Sequence, residues 1–265
     1  MIRTGFIGLG SQGGPMARRM VEAGYPLALW ARRPEAFEPY RDTMATFADS
    51  VATLGAQADH VGICVVDDAG VQAVCANLIP AMAPGSRIAI HSTVHPQTCV
   101  ALAEQAAARG IALIDAPVSG GGPGAAAGTL TVMVGGDADA VAAARPVFES
   151  FAGSIFHLGG VGAGQLAKLV NNALMAAHMG LAQQALDASA VLGIDRQAFA
   201  DLVRSSSGRS FGFEVAARLP QPSAFAHGAK LLAKDVRLLG DVLGLHPAAR
   251  LFDAVATPFL DLAQQ

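Results

Sequence analysis

The chain has 265 residues, of which 52% are hydrophobic and 15% are charged, so it contains ample material for a core. Its net charge is −3 at pH 7, which gives no electrostatic basis for binding nucleic acid. The first residues run directly into an apolar segment, with no basic region followed by a signal core. We therefore expect a cytoplasmic protein that binds neither nucleic acid nor membrane, built as one large domain or two modest ones.

Short apolar runs alternate with helical patterns over the first 160 residues. We predict strands at residues 2–7, 27–30, 60–66, 87–91, 111–115, 130–134 and 154–157. The helices between them are predicted at residues 15–23, 69–78, 96–109 and 138–151. Alternation of this kind is typical of parallel βαβ units that place helices on both faces of a sheet.

After Gly164 the strand signals end, and Ala, Leu and Val recur at spacings of three and four residues. The longest helical pattern covers residues 165–192 and would extend roughly 40 Å at a rise of 1.5 Å per residue. Gly193 is suited to end this helix, and Asp195 is suited to cap the next one. Further helices are predicted at residues 197–204, 211–218, 230–243 and 248–262.

These patterns predict two domains of different class. Residues 1–160 are expected to form an α/β Rossmann domain with a doubly wound, mostly parallel sheet. Residues 161–265 are expected to form an all-α domain. The uncharged stretch 169–186 contains amides and a histidine that a bilayer would penalise, so we interpret it as a buried helix.

The first predicted strand leads into a glycine-rich loop made of Gly8, Leu9, Gly10, Ser11, Gln12 and Gly13. Gly8 permits a tight turn, Gly10 lets the backbone approach a pyrophosphate, and Gly13 allows close packing of helix on strand. The helix that follows presents free N–H groups to the phosphates. Because 30 glycines make chance matches easy, the position between a strand and a helix is what favours a dinucleotide site.

The choice of dinucleotide depends on the residue about 20 positions further on. An acidic residue there would bind the ribose 2′-hydroxyl of NAD, but Arg32 and Arg33 occupy this segment. A guanidinium matches a 2′-phosphate and gains little from a bare hydroxyl. The sequence therefore favours NADP(H) over NAD(H), with the alternative that both arginines merely cover a solvated edge.

Four motifs stand in order along the chain. They are GFIGLGSQGGPMARRMVEAGY at 5–25, DAPVSGGGPGAAAGTLTVMVGG at 115–136, GAGQLAKLVNNAL at 162–174 and LLAKDVRLL at 231–239. Together they resemble the β-hydroxyacid dehydrogenase family, which includes 3-hydroxyisobutyrate dehydrogenase and tartronate semialdehyde reductase. The resemblance implies reversible, NAD(P)-dependent reduction of a short aldehyde carboxylic acid to a β-hydroxyacid. It also implies a homodimer or homotetramer that associates through the all-α domain.

The second motif contains the candidate substrate-binding segment. Ser119 places a hydroxyl beside Gly120 and Gly121, whose backbone can adopt positive φ, so several N–H groups can converge on an anion. The resemblance assigns the carboxylate of a small substrate to this segment. A flexible glycine loop without a ligand is the alternative.

The third motif contains the candidate catalytic residues. Lys168 and Asn172 are four residues apart and so share one face of the long helix. Hydride transfer to a carbonyl carbon creates an alkoxide, which a lysine ammonium can protonate and a neutral amine can deprotonate again. Asn172 would hold the substrate through its amide. A surface lysine is the alternative, which the flanking GAGQLAKLVNN disfavours.

The resemblance supplies the remaining cofactor residues. It places Lys234 near the nicotinamide, gives Asp235 a structural role, and lets Thr93 meet the nicotinamide ribose. Val66 is expected on the adenine side, although Val65-Val66 stands where the family usually has Leu-Pro. The histidines show no ligand spacing, so no metal is expected.

Two other functions are weighed against this one. Imine reductases resemble the family in fold but generally lack the lysine and the carboxylate signature, so Lys168 and Ser119 argue against imine reduction. A sensor or scaffold that binds a dinucleotide without chemistry would be free to lose Lys168 or Asn172, and this chain has both.

Overall fold

The computed structural model describes residues 2–265, and the chain divides into two compact units. The first unit ends at Lys168 and the second comprises Leu169–Gln265. Within the described residues, the strands are β1 Thr4–Ile7, β2 Leu27–Trp30, β3 Thr46–Phe47, β4 His60–Ile63, β5 Arg87–Ile90, β6 Ala112–Asp115, β7 Val118–Ser119, β8 Leu130–Gly135 and β9 Ala152–Gly159.

Helices lie between the strands in the first unit and make up the second. Those that begin in the first unit are α1 Gly13–Glu22, α2 Val51–Gln57, α3 Asp68–Leu78, α4 Pro96–Ala107, α5 Gly121–Ala127, α6 Ala138–Phe148 and α7 Ala163–Val191. The others are α8 Arg196–Arg204, α9 Phe211–Arg218, α10 Ala226–Leu243 and α11 Pro247–Leu262. Short 3₁₀ helices cover Pro34–Tyr40 and Pro222–Phe225.

The sheet runs in the order β3-β2-β1-β4-β5-β6-β8-β7, and β9 pairs with β8. The strands from β3 to β6 pair in parallel, whereas β8 is antiparallel to β6 and β7. Two apolar clusters lie on opposite faces of the sheet. Successive side chains of β1 pack into different clusters, Phe6 into one and Ile7 into the other. This alternation buries both faces of the sheet, as a doubly wound fold requires.

The predicted fold class is confirmed: a Rossmann-type unit with a mostly parallel sheet is followed by a helical unit. Several short elements were not predicted. The edge strand β3 has two exposed residues and so lacks an apolar pattern. The helix α5 has the sequence GGPGAAA, whose glycines and proline are typical of a loop. The domain boundary near residue 160 stays a prediction.

The second unit has its own core, built where α7, α10 and α11 pack together. Leu169 and Met179 of α7 contribute to it, with Val236 of α10 and Phe259 of α11. Asp195 caps α8 as predicted, because its carboxylate accepts a 2.9 Å hydrogen bond from the Ala198 N–H. Among residues 2–265, no helix combines the length and apolar character needed to cross a membrane.

Candidate active site

The glycine-rich loop joins β1 to α1, and its backbone has the properties that its sequence predicts. Gly8 has a φ of +101°, which L side chains rarely adopt. A Cβ on Gly13 would lie 2.9 Å from the Cβ of Cys64 and 3.1 Å from the Phe6 ring, so only glycine permits this packing. At Gly10 a Cβ would meet nothing within 4 Å. The backbone at Gly10 is therefore open to an incoming group.

A cavity of about 190 Å³ adjoins this loop at the carboxyl ends of β1, β2 and β4. Its lining brings several predicted cofactor residues together: Gly8, Leu9, Gly10, Arg32, Arg33 and Val66. Both arginines are exposed, and no acidic side chain is among the described residues of the lining. The cavity lies where open α/β sheets bind nucleotides, and its cationic rim suits a phosphate more than a hydroxyl.

The candidate carboxylate segment lies at the end of β7. Ser119 is half-buried and pairs with Thr131 of β8, and Gly120 and Gly121 follow with φ values of +127° and +61°. A Cβ on Gly122 would lie 2.6 Å from the carbonyl oxygen of Ser11. The turn that begins α5 therefore packs directly against the glycine-rich loop, which brings two of the predicted motifs together.

The beginning of α7 is fixed by a carboxylate from β6. Asp115 is fully buried and accepts hydrogen bonds from the N–H of Gly162 at 2.7 Å and of Gln165 at 2.8 Å. A negative charge at a helix N-terminus is stabilising. Burial raises the pKa of the Asp115 carboxyl, and these N–H groups oppose that rise. Lys168 follows one turn later and is buried, with 8% of its surface exposed.

Gln165 joins α7 to the loop that follows β5. Its side-chain nitrogen donates to the Ser92 carbonyl at 2.8 Å, and its side-chain oxygen accepts from the Val94 N–H at 3.1 Å. Thr93, the predicted nicotinamide-ribose residue, lies between these two anchored residues. Gln165 and Asp115 lie in two of the four motifs, but the sequence did not predict a function for either residue. A polar side chain within an apolar helical segment, three residues before Lys168, was the available signal for Gln165.

Asn172 lies on α7 one turn after Lys168, in the second unit. Its side-chain nitrogen donates a 2.6 Å hydrogen bond to Asp235 of α10. Lys234 has its ammonium 3.4 Å from the other carboxylate oxygen of Asp235. The sequence favours a structural role for Asp235 but does not predict its contact with Asn172. The second unit thus joins two of the predicted site residues, Asn172 and Lys234, through one carboxylate.

Two family models together match almost the whole chain. The one described as the NAD binding domain of 6-phosphogluconate dehydrogenase matches residues 3–159. The other, described as NAD-binding of NADP-dependent 3-hydroxyisobutyrate dehydrogenase, matches residues 162–265.

Curated relatives and a solved structure agree with these matches. NAD-dependent L-serine dehydrogenase of Pseudomonas aeruginosa is 37% identical over 99% of this chain and 90% of its own length. The 3-hydroxyisobutyrate dehydrogenase of the same organism is 35% identical over 100% of this chain and 90% of its own. A structure of Mycobacterium tuberculosis 3-hydroxyisobutyrate dehydrogenase with L-serine gives a TM-score of 0.88 at 29% identity, covering 100% of this chain and 96% of that one.

Proposed function

Because this chain belongs to the β-hydroxyacid dehydrogenase family, we propose that it interconverts a short aldehyde carboxylic acid and the corresponding β-hydroxyacid. Family membership makes the chain an NAD(P)-dependent oxidoreductase. The proposal concerns the substrate class, the preferred cofactor and the proton donor, for which we assign Lys168.

The burial of Lys168 carries this proposal. A lysine with no functional role usually keeps its ammonium group in water. Lys168 is instead buried, with only 8% of its surface exposed. The turn of α7 before it is held by the buried side chains of Asp115 and Gln165. A buried amine on a fixed helix turn is suited to proton transfer at a defined point.

Each protein group has a defined part in the proposed reaction. A nicotinamide cofactor held by the glycine-rich loop would supply a hydride for reduction and would take one up in oxidation. The Lys168 ammonium gives its proton to the oxygen that gains negative charge during reduction, and the neutral amine takes that proton back during oxidation. Ser119 and the N–H groups of Gly120 and Gly121 hold the substrate carboxylate. Asn172, oriented by Asp235, positions the reacting oxygen.

The substrate class follows from what the named relatives share. L-serine and 3-hydroxyisobutyrate are both 3-hydroxypropanoates, and they differ in bearing an ammonium or a methyl group on C2. A site that holds the carboxylate at Ser119 and the reacting oxygen at Lys168 uses the two groups that these acids have in common. We therefore propose 2-substituted 3-hydroxypropanoates as the substrates.

NADP(H) is the proposed cofactor, with NAD(H) as the competing one. Arg32 and Arg33 line the cavity beside the glycine-rich loop, and the described lining contains no acid that would accept from a 2′-hydroxyl. One family model is described as NADP-dependent, whereas the L-serine dehydrogenase relative is named NAD-dependent. Because a guanidinium binds a 2′-phosphate better than a hydroxyl, the two arginines favour NADP(H).

We also propose that the enzyme is a homo-oligomer that associates along α7. This helix carries a row of apolar side chains that remain exposed, from 42% at Leu166 to 57% at Leu181: Leu166, Val170, Leu174 and Leu181. Their spacing of four, four and seven residues places them on one face of the helix. Contiguous exposed apolar surface of this kind marks association sites, and a second copy of the chain is the proposed partner.

The test compares wild type with Lys168→Ala in oxidation of L-serine and 3-hydroxyisobutyrate and in reduction of aldehyde acids, with each cofactor. We expect turnover in wild type and a loss of at least about 100-fold in kcat for Lys168→Ala, as for removal of a general acid. Lys230→Ala, at an exposed lysine of α10, is the matched control and should be unaffected. Equal rates in Lys168→Ala and wild type would overturn the proton-donor assignment, and reduction of cyclic imines alone would overturn the substrate class.

A further inference from the structure

We propose that Gln165 is a positioning residue that holds Lys168 in register with the Ser92–Val94 loop, an inference that rests on the proposed function. The side chain of Gln165 does not extend towards solvent, since the residue is fully buried. It connects the first turn of α7 to the carboxyl end of β5. Lys168 lies three residues further on, on the same side of the helix.

The bridge is part of a continuous path of hydrogen bonds. The Val65 N–H, which follows β4, donates to the Ser92 hydroxyl at 2.8 Å. The Ser92 carbonyl accepts from the Gln165 side chain at 2.8 Å, and the Gln165 backbone N–H donates to Asp115 at 2.8 Å. Val65 also lines the cavity beside the glycine-rich loop. The path therefore runs from the candidate cofactor cavity to the helix turn that precedes Lys168.

The chemistry of the bridge requires an amide. Ser92 offers a carbonyl oxygen and Val94 offers an N–H, so the side chain between them must donate at one end and accept at the other. An aliphatic side chain would leave both backbone groups unsatisfied in the interior, which is costly. A carboxylate would satisfy Val94 but would place its second oxygen against the Ser92 carbonyl.

Asp115 completes the alignment by fixing the helix end itself. Its two carboxylate oxygens accept from the N–H groups of Gly162 and Gln165, so α7 can neither slide nor rotate about its axis at this end without breaking a charge-assisted bond. A Cβ on Gly164 would lie 2.9 Å from a carboxylate oxygen of Asp115, so this close approach depends on glycine. Gln165 then sets the distance between the fixed turn and the loop that contains Thr93.

The first measurement uses Gln165→Met, which keeps side-chain length and removes both hydrogen bonds. We expect kcat to fall by about ten-fold to hundred-fold, because a misplacement of about 1 Å can cost that much. The isotope effect with substrate deuterated at the carbinol carbon should rise as hydride transfer becomes limiting. The cofactor Kd should change by less than about three-fold, since the cavity lining is untouched. A kcat within two-fold of wild type would overturn the proposal.

The second measurement uses Gln165→Glu, whose carboxyl group can make both bonds only when protonated. The titratable groups around it are Asp115 of β6, Asp68 of α3, Cys99 of α4 and Lys168 of α7 itself. At pH 6 we expect Gln165→Glu to turn over faster than Gln165→Met, with its rate relative to wild type falling as the pH rises to 9. Equal rates for the two variants at every pH would overturn the proposal, because packing alone would then explain the loss.

Two controls separate this proposal from loss of stability and from failure of the proposed function. Thr4→Val removes another buried side-chain hydrogen bond, to the Pro26 carbonyl at 2.8 Å, at the amino end of β1. It should lower Tm without changing kcat or the isotope effect. Lys168→Ala tests the proton donor itself. If Lys168→Ala is inactive and Gln165→Met is fully active, the positioning role fails while the proposed function stands.

Discussion

The side-chain nitrogen of Asn172 and a carboxylate oxygen of Asp235 lie 2.6 Å apart, in a charge-assisted hydrogen bond between α7 and α10. Asp235 is 3% exposed and Asn172 is half-buried, so water does not weaken the bond on the Asp235 side. Because the carboxylate accepts only, it fixes the amide so that nitrogen faces Asp235. The orientation of Asn172 is therefore set by a residue 63 positions further along the chain.

Asp235→Asn tests whether this orientation supports catalysis. The neutral amide can accept from Asn172 through one oxygen but can also turn its own nitrogen towards it, so the orientation of Asn172 is no longer fixed. We expect kcat/KM for the β-hydroxyacid to fall by about ten-fold to hundred-fold, in keeping with the roughly 1.5–3 kcal/mol of a hydrogen bond to a charged group. Asp187→Asn is the matched control, because it changes an exposed amide–carboxylate pair on α7, with Gln183 at 2.8 Å. An equal loss in both variants would contradict a specific role for Asp235.

The cofactor preference is testable at the two arginines of the cavity. In Arg32→Ala and Arg33→Ala we expect the Kd for NADPH to rise by about ten-fold or more, since a charge-assisted phosphate contact is lost, while the Kd for NADH stays within two-fold. Fluorescence titration of each reduced cofactor measures this. Arg41→Ala is the control, because Arg41 is an exposed arginine paired with Glu38 outside the cavity. Equal weakening of both cofactors would show that the arginines do not read the 2′-phosphate.

Elements with a clear apolar pattern were predictable from the sequence, although some bounds shift: α10 begins at Ala226 rather than at residue 230, and β4 ends at Ile63 rather than at residue 66. The strand Leu27–Trp30 and the helix Phe211–Arg218 have the predicted bounds. The helix α5 was not predicted because its glycines and proline are typical of a loop. In the structure, the turn that begins α5 packs against the glycine-rich loop. A tertiary contact of this kind has no counterpart in local sequence.

The candidate site likewise contains residues that local sequence patterns predict and residues that only the fold brings together. Helical spacing alone places Lys168 and Asn172 on one face, and the glycine pattern alone locates the loop after β1. By contrast, Gln165 meets Val94 across 71 residues of sequence, and Asp115 meets Gln165 across 50. No periodicity relates such pairs, because the order of strands in the sheet brings them together. Gln165 and Asp115 were therefore the residues to which the sequence could not assign a contact.

The exposed apolar row on α7 leads to a prediction about assembly. A charge at Val170 or Leu174 would be buried without a partner if a second copy covers this face, so Val170→Glu and Leu174→Glu should shift the protein towards monomer. Light scattering after size exclusion gives the mass directly. Leu245→Glu is the control, since Leu245 is 97% exposed and lies outside α7, and its mass should equal that of wild type. Unchanged mass in both α7 variants would exclude this face as the interface.

Two buried histidines of the first unit should make the free energy of unfolding depend on acid pH. His60 and His91 are 1% and 3% exposed, and their rings pack against Phe148. Burial lowers the pKa of His60 to about 3, with His91 and Arg87 adding repulsion. Burial also lowers the pKa of His91 to about 4, although its hydrogen bond with the Ala116 carbonyl opposes that change. Both rings are therefore neutral in the folded protein at neutral pH.

The free energy of unfolding should consequently fall as the pH drops below about 6.5, where the unfolded chain takes up protons that the buried rings cannot accept. Each histidine should account for a loss of roughly 2 kcal/mol at pH 5, and the loss should continue towards the folded-state pKa. Urea unfolding at pH 7.5 and pH 5 measures it. His91→Gln should remove about half of this pH dependence, because the amide keeps a donor for the Ala116 carbonyl but does not titrate. His227→Gln, at an exposed histidine, should leave the dependence unchanged, and the same slope in all three proteins would show that the buried rings are not its source.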